Sequence, residues 1–149
     1  FLFTPNRVTV LTETYSQIRR IYTDGRALPD DPEFLFNGTS VGRWQNGQLV
    51  VDTVGFTPLV QYVDGVQHGE HMRIHERMWI EGPDELRIET TITDPGVLSE
   101  PLVILSAYKR QRAWEMREYI CEENNRLTSG EGGANIDLGL DDEDPFAGF

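Results

Sequence analysis

Apolar and polar residues alternate along most of this chain in short runs, and turn-forming residues separate the runs. Alternation with a period of two puts one set of side chains on one face of an extended strand, so it selects β-structure over helix. It predicts strands over 8–13, 17–23, 40–44, 48–56, 71–81, 85–94, 102–111 and 114–121. Asn46-Gly47 has the chemistry of a two-residue hairpin turn, and Gly82-Pro83-Asp84 joins the two longest strands in a similar way. Asp24-Gly25, Asp64-Gly65 and Asp94-Pro95-Gly96 punctuate the rest. No segment keeps a 3.6-residue period. Even over 112–126, Trp114, Met116, Glu118 and Ile120 alternate better than they spiral. Consecutive hairpins make an antiparallel up-and-down meander. About eight such strands close most naturally into a small calycin-like barrel or a strongly curved sheet, so the expected fold class is all-β. The stretch 27–37, with Pro29, Asp30, Asp31 and Pro32, is expected to cross one barrel end, and 57–69 to form a flap at a mouth.

The length of 149 residues suits one domain. A formal net charge of -12 argues against nucleic acid or an anionic membrane surface as partner. No run approaches the roughly 18 apolar residues of a membrane span. The single cysteine, Cys121, excludes an internal disulfide and a multi-cysteine zinc site. Composition divides the chain into a barrel domain, 1–127, and an acidic, glycine-rich tail, 128–149. The span 130–149 holds six acidic residues and no basic one, which is half of the net charge. Such a composition reads as a flexible tail. Yet Ile136, Leu138 and Leu140 fall at every second position, a strand-like pattern that can add to a sheet edge of this chain or of a second copy. Phe146 and Phe149 would then be anchors.

The strand expected over 71–81 is the most informative for chemistry. One face reads Met72, Ile74, Glu76, Met78, Ile80; the other reads His71, Arg73, His75, Arg77, Trp79. A carboxylate in the middle of an apolar face must be paired, hydrogen-bonded or protonated. Candidate partners for Glu76 are Arg20, in phase with Ile18 and Tyr22, and Arg110, in phase with Tyr108. Glu76 is thus either a pocket acid or base or half of a structural ion pair. Asp52 lies in a segment apolar on both faces and is a second candidate, as partner of Glu76 or as a carboxylate satisfied by nearby backbone or arginine. His68, His71 and His75 are all the histidines of the chain. His71 and His75 stand about 13 Å apart on a straight strand, too far to share a metal. His68 and His71 can meet across a bend at Gly69, with Glu70 as a third ligand suited to zinc or copper; the alternative is solvated histidines on a strand and loop. Arg19, Arg20 and Arg26 surround Asp24 at a turn, which suits either an anion site or an Asp24 that caps the turn and pairs locally. No glycine-rich phosphate loop, nucleophile elbow or Cys/His signature occurs, so no cofactor is expected.

The stretches RRIYTDGR (19–26), SVGRW (40–44), LVVDTVGF (49–56), His68 with RIHER (73–77) and EENN (122–125) resemble a set of uncharacterised exported bacterial β-rich proteins. The resemblance covers roughly residues 3–125. It implies export to the periplasm or the extracellular space, with further residues ahead of Phe1, and it implies no activity. His68, Glu76, Asp52 and Arg20 fall within the shared stretches, whereas His71 and His75 do not.

Two functions compete at this level. One is a binding or assembly module: a small barrel that holds an apolar small molecule, with Arg20, Tyr22, Tyr108 and Arg110 as binding residues, or that self-associates through residues 130–149. The other is a hydrolase, lyase or isomerase with Glu76 as general acid or base, Asp52 or His68 as its partner, and Arg20 binding an anionic group. A metal protein using His68, Glu70 and His71 is a third reading. Fold alone does not choose among them.

Overall fold

The computed structural model describes residues 1–59, 61, 66–117, 127–130 and 133–136. Eight strands form one sheet in chain order: β1 (Leu2–Thr4), β2 (Arg7–Thr12), β3 (Gln17–Tyr22), β4 (Thr39–Gln45), β5 (Gln48–Val54), β6 (Arg73–Ile80), β7 (Glu85–Thr93) and β8 (Leu102–Lys109). The sheet is mostly antiparallel and curls into a half-barrel. No α-helix occurs among the described residues; a single 3-10 turn, Thr14–Ser16, sits between β2 and β3. No described helix is long and apolar enough to cross a membrane.

The alternation therefore reports strand identity and order well, and it differs from the structure in particulars. β1 is too short to carry a readable alternation. Residues 114–117 do not form a strand, and 118–121 lie outside the described residues. The sheet is a half-barrel, and among the described residues β1 and β8 are its two edges. One pair, β3 with β4, is parallel, at Ile21–Ser40 and Tyr22–Val41. The cause is the long connection 23–38, which lets the chain turn back and re-enter beside the end of β3 in the same direction. A parallel step needs roughly a dozen residues of crossover, and a tight hairpin cannot supply it. Part of that connection then anchors on the end of β5, where Leu35 bridges Phe56 and its N–H donates to the Gly55 carbonyl at 2.9 Å.

The expected turn chemistry is present. Asn46 and Gly47 both take positive φ, 51° and 78°, as a two-residue hairpin matched to strand twist demands. That turn sets the β4–β5 register, with Gln45 opposite Gln48 and, at the far end, Thr39 opposite Val54. The core lies on the inner face, where Val8, Ile21, Leu49, Val51 and Met78 are buried and Val10, Leu86 and Ile88 pack against them. Full burial of such side chains stabilises by about 1.5–3 kcal/mol each. Ile21 reaches across the parallel step because β4 offers Gly42 there; a Cβ at that position would stand 2.7 Å from the Ile21 methyl group.

In the tail, β9 (Leu127–Gly130) and β10 (Gly133–Ile136) pair antiparallel with each other as a separate two-stranded sheet. Leu138, Leu140, Phe146, Phe149 and Cys121 lie outside the described residues.

Candidate functional site

The inner face carries one charged cluster. β3 presents Arg19, β4 Ser40, β5 Thr53 and β6 Glu76. Register brings them together: Ser40 is directly opposite Thr53, and Glu76 is opposite Val51 on the same face. The Arg19 guanidinium fills the space between. Its Nε donates to Ser40 Oγ at 3.1 Å, Nη1 to Glu76 Oε1 at 3.1 Å, and Nη2 to Thr53 Oγ1 at 2.9 Å and also to Glu76 Oε2. The two hydroxyls are 2.9 Å apart. Glu76 is 7% exposed, and both its oxygens are taken by one planar fork. This is the bidentate geometry in which a buried carboxylate tolerates its charge.

The partner of Glu76 is thus Arg19, and neither Arg20 nor Arg110. The phase of β3 decides this. Ile21 is fully buried, so Arg19 shares its inward face, while Ile18 and Arg20 are exposed on the other. Arg110 sits past the end of β8, where its N–H donates to the Asp84 carbonyl at 2.8 Å.

Asp52 does not join Glu76. It pairs in register with His75, and Val51 with Glu76, so the two carboxylates are on opposite faces of the sheet. On the outer face, His75 Nδ1–H donates to Asp52 Oδ1 at 2.6 Å, and Arg43 Nη1 donates to Oδ2 at 2.9 Å. Partial burial works against the Asp52 carboxylate, but these hydrogen bonds outweigh it and hold its pKa below the usual carboxylate range. The Asp24 alternative resolves locally: Arg26 Nε and Nη2 clamp its carboxylate at 2.6–3.0 Å.

His68 reaches neither carboxylate cluster. Its Nδ1 is 2.8 Å from the Gly69 carbonyl and its Nε2 2.9 Å from the Thr57 carbonyl. Phe56 lies edge-on with ring centroids 6.3 Å apart. Both ring nitrogens lie against backbone carbonyls, so His68 bridges Gly69 and the segment that follows β5. Glu70 and His71 instead line a polar cleft of about 240 Å3 with Asp30, Asp31 and Arg73. His68, Glu70 and His71 do not converge, and no metal-binding group of His, Cys, Asp and Glu occurs among the described residues.

The expected binding residues fall into two places. Arg20 and Tyr22 line an outer cleft of about 250 Å3 against Phe36 and Asn37. Tyr108 and Arg110 line one of about 540 Å3 with Phe1, Ile80 and Leu86. The latter adjoins an apolar cup of about 210 Å3 at the turn end of the inner face, and Phe1, Ile80 and Leu86 line both. The floor of the cup is Leu49 and Met78, and its wall is Phe3 and Trp44. Phe1 stacks on Phe3 at 6.4 Å, and Phe3 leans on Trp44 at 6.2 Å. Phe3, Trp44 and Ile80 are 64%, 57% and 68% exposed.

Sequence reasoning missed Arg19 as the partner of Glu76, and it missed Ser40, Thr53 and the cup. Ser40 and Thr53 were within reach, because counting outward from Asn46-Gly47 places them opposite each other. The cup was not, because Phe1, Phe3 and Trp44 meet only through the curl of the sheet.

Compared with protein-family models, with curated proteins and with solved structures, the chain matches none.

Proposed function

We propose that this chain is a binding module whose open half-barrel takes a small apolar molecule in the cup formed by Phe3, Trp44, Leu49 and Met78, and that it works in an exported setting. The observation that carries the reading is the grouping of large exposed apolar side chains around one concavity over a buried apolar floor. Such patches on a folded domain mark binding surfaces. A concave, aromatic-lined site is the usual form of a small-molecule site. At about 210 Å3 the cup is smaller than drug-sized sites, which suits a single ring system or a short acyl segment. The enzyme reading loses its principal residue, because Glu76 has both oxygens engaged by Arg19 and faces hydroxyls already paired.

The test is titration with naphthalene, a neutral apolar fluorophore of one fused ring system. Saturable binding at one site per chain is expected. Trp44→Ala should weaken it about tenfold or more, since truncating a central aromatic anchor costs over 1 kcal/mol. Tyr22→Ala, on the outer cleft, should leave it unchanged. No saturable binding, or equal loss in both variants, overturns the reading.

A further inference from the structure

We infer that the β8 edge is a homodimer interface, at which β8 pairs antiparallel with β8 of a second copy. This inference stands apart from the cup, which β8 does not line. The two edges of the half-barrel differ. β1 spans three residues, a length too short to template another strand, whereas β8 spans eight. From Leu102 to Tyr108 β8 carries no charge, no proline and no glycine. Its apolar residues do not alternate: Leu102, Val103, Ile104 and Leu105 are 43%, 60%, 43% and 60% exposed, so both faces are apolar and both are uncovered. A strand of that composition belongs inside a sheet.

The chain that follows does not supply the missing neighbour among the described residues. By Arg117 it has reached the β2–β3 connection, where the Arg117 N–H donates to Glu13 Oε2 at 3.2 Å.

Charge selects a second copy as the occupant. The molecule as a whole is strongly acidic, at -12. The β8 edge is the exception, with Glu100 before the strand and Lys109 and Arg110 at its end, all exposed. None of the three has an ion-pair partner among the described residues. In a two-fold antiparallel pairing centred on Leu105, Leu105 faces itself, Ile104 faces Ser106, Val103 faces Ala107 and Leu102 faces Tyr108. Glu100 then faces Arg110, beside Lys109, and does so twice by symmetry. A two-fold axis normal to the sheet keeps both inner faces on one side, so the dimer is a continuous sixteen-stranded sheet.

The test uses the full chain. Sedimentation velocity should give twice the chain mass, with monomer appearing on dilution. Leu105→Arg, which sets two like charges across the axis, should give a monomer with an unchanged β-sheet circular dichroism spectrum. Glu100→Arg and Arg110→Glu should each weaken the dimer about tenfold, and the double exchange should restore it to within about threefold. In a Cys121→Ser background, Leu105→Cys should oxidise to a covalent dimer while Ala107→Cys should not, because only position 105 faces itself. A monomer at all concentrations overturns the inference. So does a dimer that Leu105→Arg leaves intact, which would point to the tail or another surface.

Discussion

Asp52 and Glu76 are carboxylates on neighbouring strands, and one step of register separates their circumstances. Glu76 turns inward to Arg19; Asp52 turns outward to His75 and Arg43. The Asp52 pKa is held below its unfolded value, so its contribution to stability is complete above an unfolded pKa of about 3.9 and is lost as pH falls through the folded value. The difference in denaturant midpoint between the protein and Asp52→Asn should therefore be steady from neutral pH to about 5 and shrink at lower pH. Its size should be about 1 kcal/mol or less, since the group is partly exposed and screened. A difference that persists unchanged at pH 2.5 would make packing its cause. That a carboxylate in each position needs a partner was legible from hydrophobic context alone. Which partner was not. The phase of β3 is ambiguous in Ile18-Arg19-Arg20-Ile21-Tyr22, where apolar residues fall at both parities, and only burial of Ile21 resolves it.

At the level of elements, the Arg19 cluster ties four strands together, and Arg19 is its one member from β3. Removing Arg19 leaves the Glu76 carboxylate buried and unmatched, at a cost of about 3 kcal/mol or more, whereas removing Glu76 leaves a partly exposed Arg19 that keeps Ser40 and Thr53 as partners. Arg19→Met should destabilise by that order in urea unfolding, and Glu76→Leu by less. The double variant should lose far less than the sum of the two, as coupled neighbours do. Additive losses would mean that the two side chains do not act as a pair. Strand identity was legible because alternation and turn chemistry agree from β2 to β7. Of the two expected forms, a barrel or a strongly curved sheet, the chain takes the curled sheet of a half-barrel. Alternation tells which face of a strand is inside, but it does not tell whether the last strand meets the first. The unbroken run Leu102-Val103-Ile104-Leu105 did carry information, since a strand without alternation needs cover on both faces.

The whole molecule is two meanders of unequal size, β1–β3 and β4–β8, joined by two pairs of parallel contact and by Arg19. In the larger one, tight turns close β4–β5 and β6–β7, while residues 55–72 join β5 to β6 and 94–101 join β7 to β8. The smaller docks by closing the connection 23–38, and two residue pairs of parallel contact reward that closure, against five for the closure of 55–72 between β5 and β6. The parallel seam is therefore expected to form late on the folding pathway, after the rate-limiting barrier. Arg19→Met should then accelerate unfolding while leaving the folding rate nearly unchanged, the signature of a contact absent from the transition state. A chevron in which Arg19→Met slows folding in proportion to the stability lost would instead place the seam in the nucleus. The guanidinium that satisfies a buried carboxylate at equilibrium is, in time, the latch that closes last and so governs how long the native state endures.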